Sequence, residues 1–148
     1  MGISITDASE KHLEDLVKLE QSCFSSPWTR DQLLAEYPDD RHLFLVAENE
    51  SGTAVAYVGM MHVLDEGYIS NVAVDPAYRR QGIGDALIEA ILARAAALEL
   101  SFVTLEVRES NAPAQALYAK HGFIPVGKRK LYYERPKEDA ILMTTYLK

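Results

Sequence analysis

The stretch N-V-A-V-D-P-A-Y-R-R-Q-G-I-G-D-A-L, Asn71 to Leu87, reads as a strand, a turn and the opening of a helix. Tyr68, Ile69, Val72 and Val74 lead in with the β-branched and aromatic side chains that a strand favours. Asp75-Pro76 ends the strand, because proline has no ladder donor and turns its predecessor away from helix. After Arg79-Arg80-Gln81-Gly82-Ile83-Gly84 the apolar positions Ile83, Leu87, Ile88, Ile91, Leu92, Ala95 and Leu98 recur at helical spacing.

A strand, a glycine-bearing turn and a helix start make a place to hold an anion. The first helical N–H groups have no internal partner, and the helix dipole adds partial positive charge there. Glycine lets a phosphate come close to the backbone. The run is not G-x-x-x-x-G-K-[ST], so a phosphate-loop nucleotidase is excluded. A dinucleotide fingerprint needs a third glycine where Leu87 stands.

The chain of 148 residues suits one domain, residues 1–148, and its 48% hydrophobic and 25% charged content is that of a globular protein. No apolar run approaches a membrane span, and the N-terminus carries no secretion signal, so no membrane partner is expected. The lone Cys23 cannot form an internal disulfide, which suits a reducing, cytoplasmic location. A net charge of −7 argues against nucleic-acid binding; Lys128, Arg129 and Lys130 read as a solvated strand edge. His62 lacks a second histidine at ligand spacing, so no metal site is expected.

In chain order, Ile3–Thr6 reads as a strand, followed by a helix capped from Asp7 or Ser9, with Glu10 in capping-box reach of Asp7. Thr29-Arg30-Asp31-Gln32 is a capping box for a second helix that Pro38-Asp39-Asp40 ends. Trp28 and Leu33 are placed to staple it, and a ligand contact is the other role open to Trp28. Leu43–Glu48 and Ala54–Leu64 read as strands, with a bulge at Gly59 and a hairpin turn at Asp65-Glu66-Gly67. Phe102–Val107 is almost continuously apolar, as for a strand covered on both faces, and Glu106 interrupts it. Asn111 and Pro113 open a short helix that Gly122 closes. Phe123–Tyr133 and Ala140–Leu147 read as a closing strand pair joined by residues 134–139. Strands on either side of a central helix give an α/β sheet layered by helices.

Three further residues carry chemistry. A carboxylate in an apolar strand needs a partner, so Glu106 is either paired with an arginine such as Arg108 or serves as a general base. Asn111 and Tyr118 lie two helical turns apart and share a face. Tyr118 is either a half-buried core tyrosine or a proton donor.

The R-R-Q-G-I-G turn after V-A-V resembles the acetyl-CoA signature of the GCN5-related N-acetyltransferase (GNAT) superfamily. L-E-V-R-E-S-N-A-P-A-Q-A-L-Y-A-K-H-G-F, Leu105 to Phe123, resembles the second half of the same pattern. Pro27-Trp28 and Lys130-Leu131-Tyr132-Tyr133 through Glu138-Asp139-Ala140 to Met143 look like one branch, the ribosomal-protein-alanine N-acetyltransferases. Leu131 and Glu134 depart from that branch, which often has asparagine and proline there.

The resemblance implies a single mixed, mostly antiparallel twisted sheet of about seven strands with helices on both faces. It implies acetyl-CoA as co-substrate, without a metal, and the N-terminal peptide of a ribosomal protein as acceptor. By the same resemblance Glu106 would accept a proton and Tyr118 would donate one. Val72, Ala73 and Val74 would hold the pantetheine arm through their backbone. Arg80, Gln81, Gly82, Ile83, Gly84 and Asp85 would hold the pyrophosphate, and Asn111 would touch the cofactor near its reacting end. An α-amino acceptor has a pKa of roughly 7.7–8.0, so freeing it at pH 7 costs about 1 kcal/mol, against about 4–5 for lysine. Cys23 lies outside both motifs, so transfer is expected to be direct. A small amine or polyamine as acceptor, or a non-catalytic acetyl-CoA-binding module, are the other readings.

Overall fold

The computed structural model describes residues 2–24, 27–36, 41–134 and 137–147. Seven strands form one sheet: β1 (Ser4–Asp7), β2 (His42–Glu48), β3 (Ala54–Val63), β4 (Glu66–Val74), β5 (Phe102–Arg108), β6 (Ile124–Glu134) and β7 (Lys137–Tyr146). Their order is β1-β2-β3-β4-β5-β7-β6. Among the described residues only β4 and β5 pair in parallel, across the crossover that contains α3 (Ile83–Ala97). The sheet is mixed and mostly antiparallel, as expected.

Two apolar clusters cover its faces. One joins α3 and α4 (Ala112–Lys120) to the strands through Ile83, Leu87, Ile88, Ile91, Tyr118 and Phe123. The other joins α1 (Leu13–Cys23) and α2 (Arg30–Glu36) to Val46, Tyr57 and Ala73 through Leu16, Leu19 and Leu33. The predicted stripe of α3 is the buried one, except that Leu92 is partly buried and Leu98, which caps the helix, is exposed.

Several local expectations shift. Ser9, one of the two expected caps, opens the first turn, but its box is with His12, the Ser9 N–H donating to Nδ1 (2.9 Å), and not between Asp7 and Glu10. That leaves Nε2 of the buried His12 to donate to Glu48 (2.5 Å). The Thr29–Gln32 box forms as predicted, with bonds of 2.8 and 3.2 Å. Trp28 packs on the cluster that holds Leu33, while residues 37–40 lie outside the described residues. The β3–β4 turn is Leu64-Asp65, one step earlier than expected, with Leu64 at φ 55°.

The expected bulge is present, but its extra residue is Ser70 on β4: Gly59 faces Asn71 and Met60 faces Ile69. Gly59 lacks a side chain because the Phe44 ring lies where a Cβ would be. β5 is not covered on both faces. Val103, Leu105 and Val107 are buried, while Phe102, Thr104, Glu106 and Arg108 alternate on the more open side. The closing hairpin is tighter than expected: Glu134 pairs with Lys137, and residues 135–136 lie outside the described residues.

Candidate active site

The parallel ladder between β4 and β5 stops at Ile69–Leu105. The Ser70 bulge follows at once, and a bulge bends and twists the strand that carries it. The two strands therefore diverge, and a cleft of about 730 Å³ opens between their carboxyl ends. Ligands of α/β sheets settle in such crevices.

The bulge also decides which backbone groups face the cleft. The Asp75 N–H bonds the Val55 carbonyl, so in the alternating ladder Ala73 turns toward β3 and Val72 and Val74 turn away from it. The Val74 carbonyl accepts instead from Cys23 Sγ (3.4 Å) and Arg79 Nε (3.1 Å). Of the three predicted backbone contacts, Val72 lines the cleft, and Ala73 and Val74 do not.

Glu106, Asn111 and Tyr118 line that cleft together. Glu106 reaches it because alternate β5 residues face the open side; its side chain is only 6% exposed. Its partner is not Arg108, which pairs with Glu138 (3.2 Å). One Glu106 oxygen accepts the Tyr68 hydroxyl, and the other pairs with Arg129 Nε at 2.7 Å. Tyr118 stands on α4 between core and cleft, its ring 5.8 Å from that of Phe123. Burial, and then the neighbouring Tyr133, push its hydroxyl pKa up to about 12, so it keeps its proton at neutral pH. Burial and the Glu106 carboxylate likewise push Tyr133 up to about 12. The Asn111 side-chain oxygen caps α4 by accepting from the Ala114 N–H (3.1 Å), which leaves its NH₂ for other partners.

The turn expected to hold a phosphate lies at the start of α3. Gly82 caps the helix at φ 80° and Arg80 sits at φ 65°. A Cβ on Gly82 would meet nothing within 4 Å, so the glycine is there for its conformation, and the first N–H groups of α3 have no partner within the helix. These features fit an anionic diphosphate. The Asp85 carboxylate points elsewhere, to His121 (3.0 Å) and Lys120 (3.2 Å), which leaves its backbone for an anion.

Glu20 is a site residue that sequence reasoning missed. It is buried in α1, yet it lines the cleft. It accepts from the Trp28 N–H (2.7 Å), the Tyr57 hydroxyl and Asn71 Nδ2 (2.6 Å). This ties the entry to α2 to the bulged part of β4. A signal existed: Glu20 lies four residues after Leu16 and three before Cys23, on the apolar stripe. Tyr68, Tyr132 and Tyr133 were not singled out as cleft residues either. Cys23 also lines the cleft, with its thiol pKa raised, chiefly by burial.

Chemically, the cleft offers a carboxylate, a neutral tyrosine hydroxyl and free backbone at the bottom of one crevice. Among the described residues no group of three or more His, Cys, Asp or Glu is arranged to hold a metal ion. Nor, among them, is any helix long and apolar enough to cross a membrane.

The model of the Acetyltransferase (GNAT) family matches residues 13–123. The ribosomal protein bS18-alanine N-acetyltransferase of Escherichia coli (strain K12) is 38% identical over 128 residues, which span 84% of this chain and 84% of that protein. The crystal structure of the ribosomal-protein-S18-alanine N-acetyltransferase from Escherichia coli superposes with a TM-score of 0.91 at 33% identity, covering 98% of this chain and 94% of that one. A chain of the NatC complex bound to Gag peptide and CoA superposes with a TM-score of 0.84 at 25% identity, covering 100% of both.

Proposed function

The chain belongs to the GNAT acetyltransferase family, and from that premise we propose that it acetylates the α-amine of an N-terminal alanine on a ribosomal protein of the bS18 type. The observation that carries this reading is the end of β4–β5 pairing at Ile69–Leu105, with Glu106, Tyr118 and the Val72 backbone all bordering the opening.

Acetyl-CoA supplies the acetyl group as a thioester. The N–H groups from Arg80 to Asp85 hold its pyrophosphate, and the backbone of Val72 and Val74 holds its pantetheine arm. The Asn111 amide touches the cofactor near its reacting end. Glu106 takes the proton from the acceptor amine, directly or through water. A β4 N–H faces the carbonyl oxygen as it gains charge. Tyr118 gives its proton to the departing sulfur, a role that suits a hydroxyl kept protonated by burial. Transfer is direct: the Cys23 thiol donates to the Val74 carbonyl and has a raised pKa, so little thiolate is present for attack. A ribosomal-protein acceptor implies a cytoplasmic reaction, and a lone cysteine suits that compartment.

A second cavity of about 360 Å³ adjoins the cleft beyond Glu106. That space favours a peptide over a small amine, since an extended acceptor has somewhere to lie past its reacting end. Thiol release from acetyl-CoA tests the reading, with alanine-starting peptides set against polyamines and free amino acids. Mass spectrometry of ribosomal-protein N-termini with and without the protein then identifies the acceptor. Turnover with small amines alone would replace the proposed substrate, and acetyl-CoA binding without turnover would leave a binding module.

A further inference from the structure

Both oxygens of Glu106 are occupied. Tyr68, on β4, donates its hydroxyl to one, and Arg129, on β6, holds the other at 2.7 Å. The guanidinium takes one acceptor site of Oε2 and puts a positive charge where an incoming ammonium would sit. The two partners are unlike. Tyr68 is half-buried beside the bulge, whereas the Arg129 side chain is 58% exposed and rises from an irregular part of β6, where register is lost between Arg129 and Tyr133. Its guanidinium already lies 5.6 Å from the Tyr132 ring centre, a face on which a cation can rest when it leaves the carboxylate. Tyr68, Glu106 and Tyr132 border both the cleft and the adjoining cavity, and Arg129 borders the cavity.

We propose that Arg129 is a positioning residue that gates the base: it holds Glu106 until the acceptor's own ammonium takes its place. The exchange replaces one cation by another, so the buried carboxylate is never left unpaired, which would be costly. A neutral group brings no charge for the exchange and leaves the gate shut. The ammonium, once seated on Oε2, passes its proton there, and the guanidinium waits over Tyr132. The gate thus selects acceptors that arrive protonated and keeps the base from water while no acceptor is bound. This inference rests on the acetyltransferase reading above.

The test is calorimetric titration of the CoA-bound protein with an alanine-starting peptide and with the same peptide already N-acetylated. Arg129 competes with the free amine but not with the acetylated one. In Arg129→Ala the preference for the free amine is therefore expected to grow about two- to fivefold, the scale of an ion pair with one exposed partner. Arg129→Lys, which keeps a cation, is expected to stay near the parent value, and Arg129→Gln to follow the alanine variant. A preference that is unchanged or smaller in the alanine and glutamine variants overturns the gate. If the parent protein releases no thiol from acetyl-CoA with the peptide, the peptide-acceptor reading itself has failed. Parent turnover with no change in preference sinks the gate alone.

Discussion

Near the start of α3 the proposed binding surface is backbone from one unbroken run, Val72 to Asp85. Around Glu106 it is side chains from α1, β4, β5, α4 and β6. As proposed, the first region would work through N–H groups left over by a helix start and by a ladder that ends early. The second works through groups that hold one another: Glu20 by Trp28, Tyr57 and Asn71, and Glu106 by Tyr68 and Arg129. A binding surface made of backbone tolerates changes of side chain so long as conformation is kept. One made of paired side chains loses function or stability when a single member goes.

The largest test of that contrast is Glu106→Gln. If the acid–base region is separate from the cofactor region, turnover falls about 10²–10⁴-fold while acetyl-CoA affinity stays within a factor of about two. Rapid-quench kinetics and calorimetry read the two numbers, and a matching loss of affinity would erase the distinction. Next is Glu20→Ala, which strands a backbone N–H, a tyrosine hydroxyl and an amide in a buried place. It is expected to cost about 3 kcal/mol in urea unfolding, and Glu20→Gln much less.

Gly82→Ala probes the backbone region. The φ of 80° costs an L-residue about 1–2 kcal/mol, and the space around it is open, so strain is the whole effect. A lower urea midpoint is expected. Gly84→Ala should instead hold or raise stability by up to about 1 kcal/mol, because Gly84 is helical and its Cβ would sit 3.4 Å from Leu117.

The smallest effect concerns Asp85. Hydrogen bonds from His121 and then Lys120 lower its pKa below the ordinary 3.8. A lowered carboxyl pKa stabilises the fold fully above the unfolded value and loses that contribution as pH falls through 3.8 toward the folded value. Asp85→Asn is expected to remove about 0.5 kcal/mol at neutral pH, the scale of a surface pair, and nothing near pH 2. Melting curves across that range check it.

Element by element, the local signals held where the chemistry was local. The Thr29–Gln32 box, the Gly122 stop at φ 89° and the buried stripe of α3 are each made within a few residues of chain. The misreadings came where a distant segment intervened. β5 looked doubly covered, because Thr104 and Phe102 carry no sign of which face the helices leave bare. Gly59 suggested a bulge on its own strand; Phe44 requires the glycine, while Ser70 across the ladder is the extra residue. Arg108 was the nearer partner for Glu106 in sequence, but Glu138 claims it once β7 lies beside β5.

From sequence alone came the family resemblance, the anion turn and Glu106 as a carboxylate in need of a reason. All three follow from residue types at fixed short spacings, where neighbouring backbone geometry suffices. Only the tertiary structure decided that β4 and β5 part after Ile69, that Glu20 stands in the cleft and that Arg129 holds Glu106. Those depend on sheet order and on a one-residue shift of register, which bring together side chains that no short spacing connects.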